Sequence, residues 1–326
     1  MILNNKNFDH EDTIDKLTVA DSFVVPSNKL GRGNGEAKLF IGNDNPELRD
    51  FYGLSGFDIK CFLKKSDLGD FLNGLKSEYK FPKLPYRKKN DLPSLYNSRL
   101  SELSDLPEFI WFSVKEQSQI DGPRVYVNSS DHNFKILRTL PLPNLSYLSI
   151  MKLKAADGEI VYYLKLFTDY EDSFGTTIHP SDIEREENII SNDNELSDNA
   201  RVETNRARVG QGKYRDDLLS DCPFCPITLI SDDRLLVASH IKPWAKSVGR
   251  EKTDPKNGFM FTPTIDRLFD RGFITFENNK KILISPWLSR ITIHRLNFQS
   301  SGVIEHLPIN GREGYLSYHR ENIFKS

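Results

Sequence analysis

The apolar positions of the chain fall into two groups of short runs with a polar stretch between them. In the first group, Phe109-Ile110-Trp111-Phe112-Ser113-Val114, Arg124-Val125-Tyr126-Val127 and Phe134-Lys135-Ile136-Leu137 are rich in β-formers and bounded by turn residues. That pattern predicts strands. Runs at 147–154 and 160–167 flank Ala155-Ala156-Asp157-Gly158-Glu159, where Asp-Gly predicts a hairpin turn. Ahead of them a short helix is expected over 68–75. Residues 1–50 are polar, with Gly31-Arg32-Gly33-Asn34-Gly35 as a loop. This glycine-rich piece lacks the Lys-Ser/Thr of a phosphate-cradling loop and reads as a turn.

The second group begins with Leu235-Leu236-Val237-Ala238 and Phe259-Met260-Phe261, followed by runs at 273–276 and 281–285 around Asn278-Asn279. These predict two strand pairs. Thr262-Pro263 starts a helix, with Thr as N-cap and Pro at the first position, and Gly272 ends it. Further helices are expected over 211–219 and through Tyr318, His319 and Arg320. Between the groups, residues 181–206 lose apolar content. The chain therefore divides into an N-terminal domain over 1–180, a linker over 181–207 and a C-terminal domain over 208–326. The fold class is α+β, the first domain being mixed or mostly β.

Composition narrows this only slightly. The chain has 326 residues, 38% hydrophobic and 28% charged, with a formal net charge of −2. No apolar run is long enough to span a membrane, and the acidic, polar start does not resemble a signal peptide. Three cysteines without framework spacing fit a reducing, cytoplasmic setting. Near-neutral charge leaves a nucleic-acid partner open, because only a local patch meets phosphate.

The candidate chemistry lies in 235–276. The first strand delivers His240 to its end, Asn257 precedes the second, and the helix carries Asp266 and Asp270. Carboxylates four apart project from one helix face and repel unless a cation lies between them. Without such a cation, Asp266 favours the helix N-terminus and Asp270 pairs with Arg267 or Arg271. A lone histidine is more often structural than catalytic. His240, Asn257 and the aspartates, however, sit on consecutive elements that can converge.

These residues and their neighbours resemble the HNH, or ββα-metal, endonucleases in a bacterial restriction-associated branch. The matching words are Ala238-Ser239-His240-Ile241-Lys242-Pro243-Trp244, Asn257-Gly258 and Asp266-Arg267-Leu268-Phe269-Asp270-Arg271-Gly272. Gly210-Gln211-Gly212-Lys213-Tyr214-Arg215 and Cys225-Pro226-Ile227-Thr228 resemble the lead-in, and Tyr315-Leu316-Ser317-Tyr318-His319-Arg320 the closing helix. The resemblance covers about residue 208 to the end. It implies a nuclease hydrolysing phosphodiesters, with His240, Asn257 and Asp266 catalytic and Asp266 and Asp270 holding a metal. Asp266 stands where the signature has its last His. Ser239 stands where many relatives carry an Asp or His ligand.

Oxygen donors favour Mg²⁺ or Mn²⁺ over Zn²⁺. Structural zinc is not expected at Cys222-Pro223-Phe224-Cys225, because no second CxxC follows and His294, His306 or His319 would have to complete it from afar. Double-stranded DNA is the expected partner. Lys242 and Arg271 are candidate phosphate contacts. So is a basic segment with Lys83, Arg87, Lys88 and Lys89, interleaved with Tyr79, Phe81 and Tyr86 and kept extended by prolines. The expected function is a sequence-specific restriction enzyme with an N-terminal DNA reader. The alternatives are a modification-dependent enzyme reading methylated or hydroxymethylated cytosine, and a non-catalytic DNA-binding protein. Cutting both strands implies a homodimer on DNA.

Overall fold

The polar N-terminal stretch contains the longest strand of the protein's computed structural model, which describes residues 1–3, 5–33, 35–117, 122–168, 213–298 and 302–326. The expected linker and the Gly210-Gln211-Gly212 lead-in lie outside these residues. The contacts divide the chain into two units: Met1–Asp172 with Pro286–Thr292, and Ser173–Ser285 with Ile293–Ser326.

In the first unit, β1 (Ile2–Leu3) and β2 (Lys6–Thr18) are followed by β3 (Leu39–Asn43). Next come α1 (Pro46–Tyr52), β4 (Asp58–Lys64), α2 (Lys65–Gly74), α3 (Lys76–Lys80) and α4 (Leu92–Ser104). β5 (Phe109–Glu116), β6 (Arg124–Asn128), α5 (Ile136–Thr139), β7 (Ser146–Ala155) and β8 (Ile160–Thr168) complete it. The strands form one sheet in the order β1-β2-β7-β8-β4-β5-β6-β3. Among the described residues only β4 and β8 pair in parallel; the other ladders of this sheet are antiparallel. One face packs Ile59, Cys61, Phe112, Ile150 and Leu164 into the main core. On the other, Phe62 stacks on Tyr163 at 4.8 Å, and the buried Trp287 lies edge-on to Tyr163 at 4.8 Å. The segment Pro286–Thr292 thus belongs to this unit, and Asp15 accepts from Ser289 N and Thr292 Oγ1.

Two expectations fail here for local reasons, and one stretch holds more than its polarity suggested. The polar residues 1–50 carry β1, β2, β3 and the start of α1. Register shifts at His10/Asp12 and Ile14/Leu17 break the two-residue alternation of β2. Residues 134–137 are not a strand: Asp131 accepts from Asn133 N, starting a 3₁₀ turn at His132–Lys135 that runs into α5. The basic segment is helical over Lys76–Lys80 before its prolines take effect. The hairpin of β7 and β8 forms as expected, with Gly158 at φ 90° in its turn.

In the second unit, helix α6 (213–221) leads to β9 (Val237–His240). β10 (Gly258–Phe261), α7 (Pro263–Asp270), β11 (Ile274–Phe276), β12 (Ile282–Ile284) and α8 (Glu313–Asn322) follow. β9 and β10 are antiparallel with Gly258 opposite His240, and α7 packs back on both. This is the strand, strand, helix arrangement expected from the motif words. Thr262 occupies the N-cap position of α7 without a side-chain cap bond. Gly272 follows the helix at φ 69°, and a side chain there would collide with the carbonyl of Ile323. Phe259, Phe261, Phe269 and Phe276 form the centre of the core.

Gly258 is extended, so its requirement is space rather than conformation. A Cβ there would meet the Tyr214 hydroxyl, and would lie 2.9 Å from both Leu218 Cδ2 and Ser239 O. Gly258→Ala is therefore expected to cost about 2–3 kcal/mol, since backbone cannot yield as a side chain can. Chemical denaturation should show it as a lower midpoint at unchanged slope.

Candidate active site

β9 ends at His240, half-buried against the ring of Tyr214 from α6, with the ring centroids 4.1 Å apart and nearly parallel. The Tyr214 hydroxyl donates to Asn257 O at 3.0 Å. His240 Nε2 lies 3.1 Å from Lys252 O. A carbonyl can only accept, so Nε2 carries the proton and Nδ1 keeps its lone pair. Burial lowers the His240 pKa from the usual 6.5, outweighing the opposite pull of the Lys252 carbonyl. A neutral imidazole held in one tautomer is suited to act as a general base.

Asn257 closes a 3₁₀ turn (Pro255–Asn257) just ahead of β10 rather than lying within the strand, and it is fully buried. Its Oδ1 accepts from Lys242 N at 2.8 Å. Its Nδ2 donates to Lys242 O at 3.2 Å, Ser247 Oγ at 3.2 Å and Glu251 O at 2.9 Å. Asn257 therefore does not touch the imidazole. It fixes the chain between the strands, including the stretch that presents Lys252 O to His240. Asn257→Ala would strand several buried backbone groups and is expected to cost about 3 kcal/mol of stability. Cleavage should fall less than on removing His240, and thermal melting with single-turnover assays would separate the two effects.

On α7, Asp266 is buried and Asp270 exposed. Burial raises the Asp266 pKa to about 8, with the like charge of Asp270 adding to it; Ser239 and Arg267 pull the other way. The buried Ser239 Oγ and Asp266 Oδ1 each lack a hydrogen-bond partner, so the hydroxyl eases the carboxylate's charge without satisfying it. No hydrogen bond joins His240 to Asp266. Among the described residues no three His, Cys, Asp or Glu side chains form a metal-holding group. The residues present nonetheless fit a hard divalent cation: a buried carboxylate oxygen without a partner, and a second carboxylate one helical turn on. Asp266 and Asp270 would hold it, with remaining positions left to water and phosphate oxygens.

Lys242 Nζ donates to Glu251 Oε2 at 2.6 Å and lies over the Tyr318 ring, so its charge is committed within the unit. Arg271 follows α7 and is half-buried. On the first unit, Lys83, Arg87, Lys88 and Lys89 are exposed. Of the interleaved aromatics only Phe81 is exposed, at 77%; Tyr79 and Tyr86 are buried in the core. Cys222 and Cys225 are buried, free thiols. His319 is committed to Thr275 Oγ1 at 2.9 Å and Phe269 O at 3.1 Å, and burial holds its pKa down at about 3.

Sequence reading missed the supports. Arg312 is wholly buried, donating from Nε to Gly258 O at 2.9 Å and from Nη2 to Asp221 Oδ2 at 2.5 Å. Tyr214 lay within a quoted motif word, but nothing in the sequence pointed to its stacking on His240. Glu251, which accepts from Lys242 Nζ and from Val248 N at 2.9 Å, carried no sequence signal.

Comparison with known proteins agrees with this geometry. Residues 225–277, in the C-terminal region, match the family model of the HNH endonucleases. The matched stretch holds His240, Asn257, Asp266 and Asp270, and it makes this region an HNH endonuclease domain, a nuclease-family domain whose substrate class is DNA. A search of curated proteins finds no significant match. No helix among the described residues is long and apolar enough to cross a membrane.

Proposed function

We propose that the chain is a metal-dependent DNA endonuclease of a restriction system, with the first unit reading a duplex site and the second cutting it. The observation that carries this reading is the pairing of two features next to each other in the strand order. One is a neutral histidine with its Nε2 proton committed to Lys252 O. The other is a buried carboxylate, Asp266, beside the preceding residue Ser239, with an oxygen left without a partner. A structural histidine would not require the second, and a purely structural carboxylate would be paired.

In this reading His240 Nδ1 takes a proton from the attacking water, Tyr214 and Lys252 O keep the imidazole oriented, and Asn257 holds the loop that presents Lys252 O. Asp266 and Asp270 bind Mg²⁺ or Mn²⁺. When bound, the cation supplies Lewis-acid stabilisation of the phosphate and the departing oxygen. Arg271 contacts phosphate near the site. On the first unit, exposed Lys83, Arg87, Lys88 and Lys89 grip the backbone of the duplex, and exposed Phe81 is the aromatic available to a base or sugar. Two copies act together on duplex DNA, because one ββα site cuts one strand.

The test is digestion of matched plasmids, unmodified and cytosine-modified, with Mg²⁺ or Mn²⁺ and with excess chelator. Cutting of unmodified plasmid at discrete sites, abolished by chelator, is expected. Cutting of modified plasmid alone would transfer the assignment to modified-base reading. Undiminished cutting in chelator would remove the metal from the mechanism.

A further inference from the structure

The chain between β9 and β10 is rich in cations, and most of them are engaged. Lys242 pairs with Glu251, Lys252 Nζ lies 3.8 Å from the centre of the Trp244 ring, and Lys256 pairs with Asp221. The loop's acids are engaged too: Glu251 as above, and Asp254 with Lys256 N at 2.9 Å and Tyr315 OH at 2.8 Å. Lys246 and Arg250 are the exceptions. Both are exposed, and neither side chain has a hydrogen bond or ion pair among the described residues. They flank Val248, an apolar side chain 69% exposed. Gly249, at φ 53°, turns the chain between Val248 and Arg250.

This tip is held stiffly. Ser247, next to Val248, is buried, accepts from Asn257 Nδ2 and donates to Lys242 O at 3.1 Å. Val248 N donates to Glu251 Oε2. The same loop presents Lys252 O to His240. Arg250 is thus two residues along the chain from a carbonyl that touches the imidazole. Two unpaired cations around an exposed apolar residue, on a preorganised loop, match a duplex surface of phosphates with sugars and base edges between them.

We propose that the Lys246–Arg250 tip is a duplex-DNA clamp: Lys246 and Arg250 bind phosphates flanking the scissile one, and Val248 packs on the sugars and base edges between them. The proposal rests on the nuclease reading for its location. It concerns grip on the duplex, not the chemical step.

The test uses the full chain. Binding of a fluorescent duplex is measured in chelator across a salt series, and hydrolysis of bis(p-nitrophenyl) phosphate is measured with Mn²⁺. Lys246→Ala/Arg250→Ala should bind duplex about tenfold more weakly, with a salt slope smaller by roughly 1.8, two contacts at about 0.9 each. Hydrolysis of the small diester should be retained, since that substrate does not reach the tip. Val248→Ala should weaken binding severalfold at unchanged salt slope, and Lys246→Ala/Arg250→Lys, which keeps one cation, should lose only about half as much slope as the double alanine variant. Unchanged affinity and slope in the double variant would overturn the clamp, as would loss of small-diester hydrolysis at an unaltered melting temperature. Failure of the wild type to cleave either substrate would count against the nuclease reading alone, because the binding series in chelator still decides the clamp.

Discussion

Replacing His240 by alanine should lower phosphodiester cleavage by about three orders of magnitude while leaving duplex affinity in chelator within about twofold, the range expected for a general base. The half-buried imidazole packs on Tyr214 and is tied through Nε2 to Lys252 O, so it adds little to the grip on DNA. Its pKa is lowered by burial from 6.5, and the neutral form it needs as a base persists below that value. Wild-type cleavage should therefore rise with pH and level off before the range of an unperturbed histidine. Stability runs with the same sign. Unfolding takes up a proton below pH 6.5, so the wild type loses stability on acidification from there toward the folded pKa. The alanine variant should lack that part of the loss. Single-turnover cleavage and thermal melts across pH would check both. Full cleavage by a folded alanine variant would remove His240 from the chemistry.

Asp266→Asn should do two opposite things. Cleavage should fall by at least about a hundredfold at sub-saturating Mg²⁺, with a higher Mg²⁺ concentration needed for half-maximal rate, because the cation loses its buried ligand. The metal-free chain should become more stable at neutral pH. The carboxyl's pKa is raised from 3.8 to about 8 by burial first and by Asp270 second. Its folded pKa lies above its unfolded one, so unfolding releases a proton between these values and stability declines as pH rises from about 4 to about 8. Asparagine carries no such penalty. At about 1.4 kcal/mol per unit, and discounting for screening of the exposed Asp270, the gain should be about 2 kcal/mol, or roughly 6 °C in melting temperature. Added Mg²⁺ should raise the wild-type melting temperature and leave Asp266→Asn nearly unchanged. Equal melting of the two proteins without metal, at pH 8 as at pH 5, would argue that Asp266 is not a strained, cation-ready carboxylate.

The sequence by itself determined the elements of the site. His240 at a strand end, Gly258 opening the next strand, and Asp266 and Asp270 on a helix closed by Gly272 all follow from local rules: short apolar runs, cap geometry and helical spacing. The same rules located β5, β6 and the hairpin of β7 and β8. They failed where a local pattern was interrupted, as by the bulges of β2, or where a short capped turn outcompeted β-propensity, as at Asp131. What only the tertiary structure decided was which partner each polar group found. Lys242 and Arg250 look alike in sequence, yet one is neutralised by Glu251 and the other stands free. Tyr79 and Phe81 look alike, yet one is in the core and the other in solvent. Asn257 organises a loop rather than touching the imidazole, and Trp287 lies with the first unit, in a short segment, Pro286–Thr292, whose flanking stretches belong to the second. Burial and hydrogen-bond partnership are properties of residues distant in the chain. Periodicity and spacing, which act over one or two turns, do not encode them.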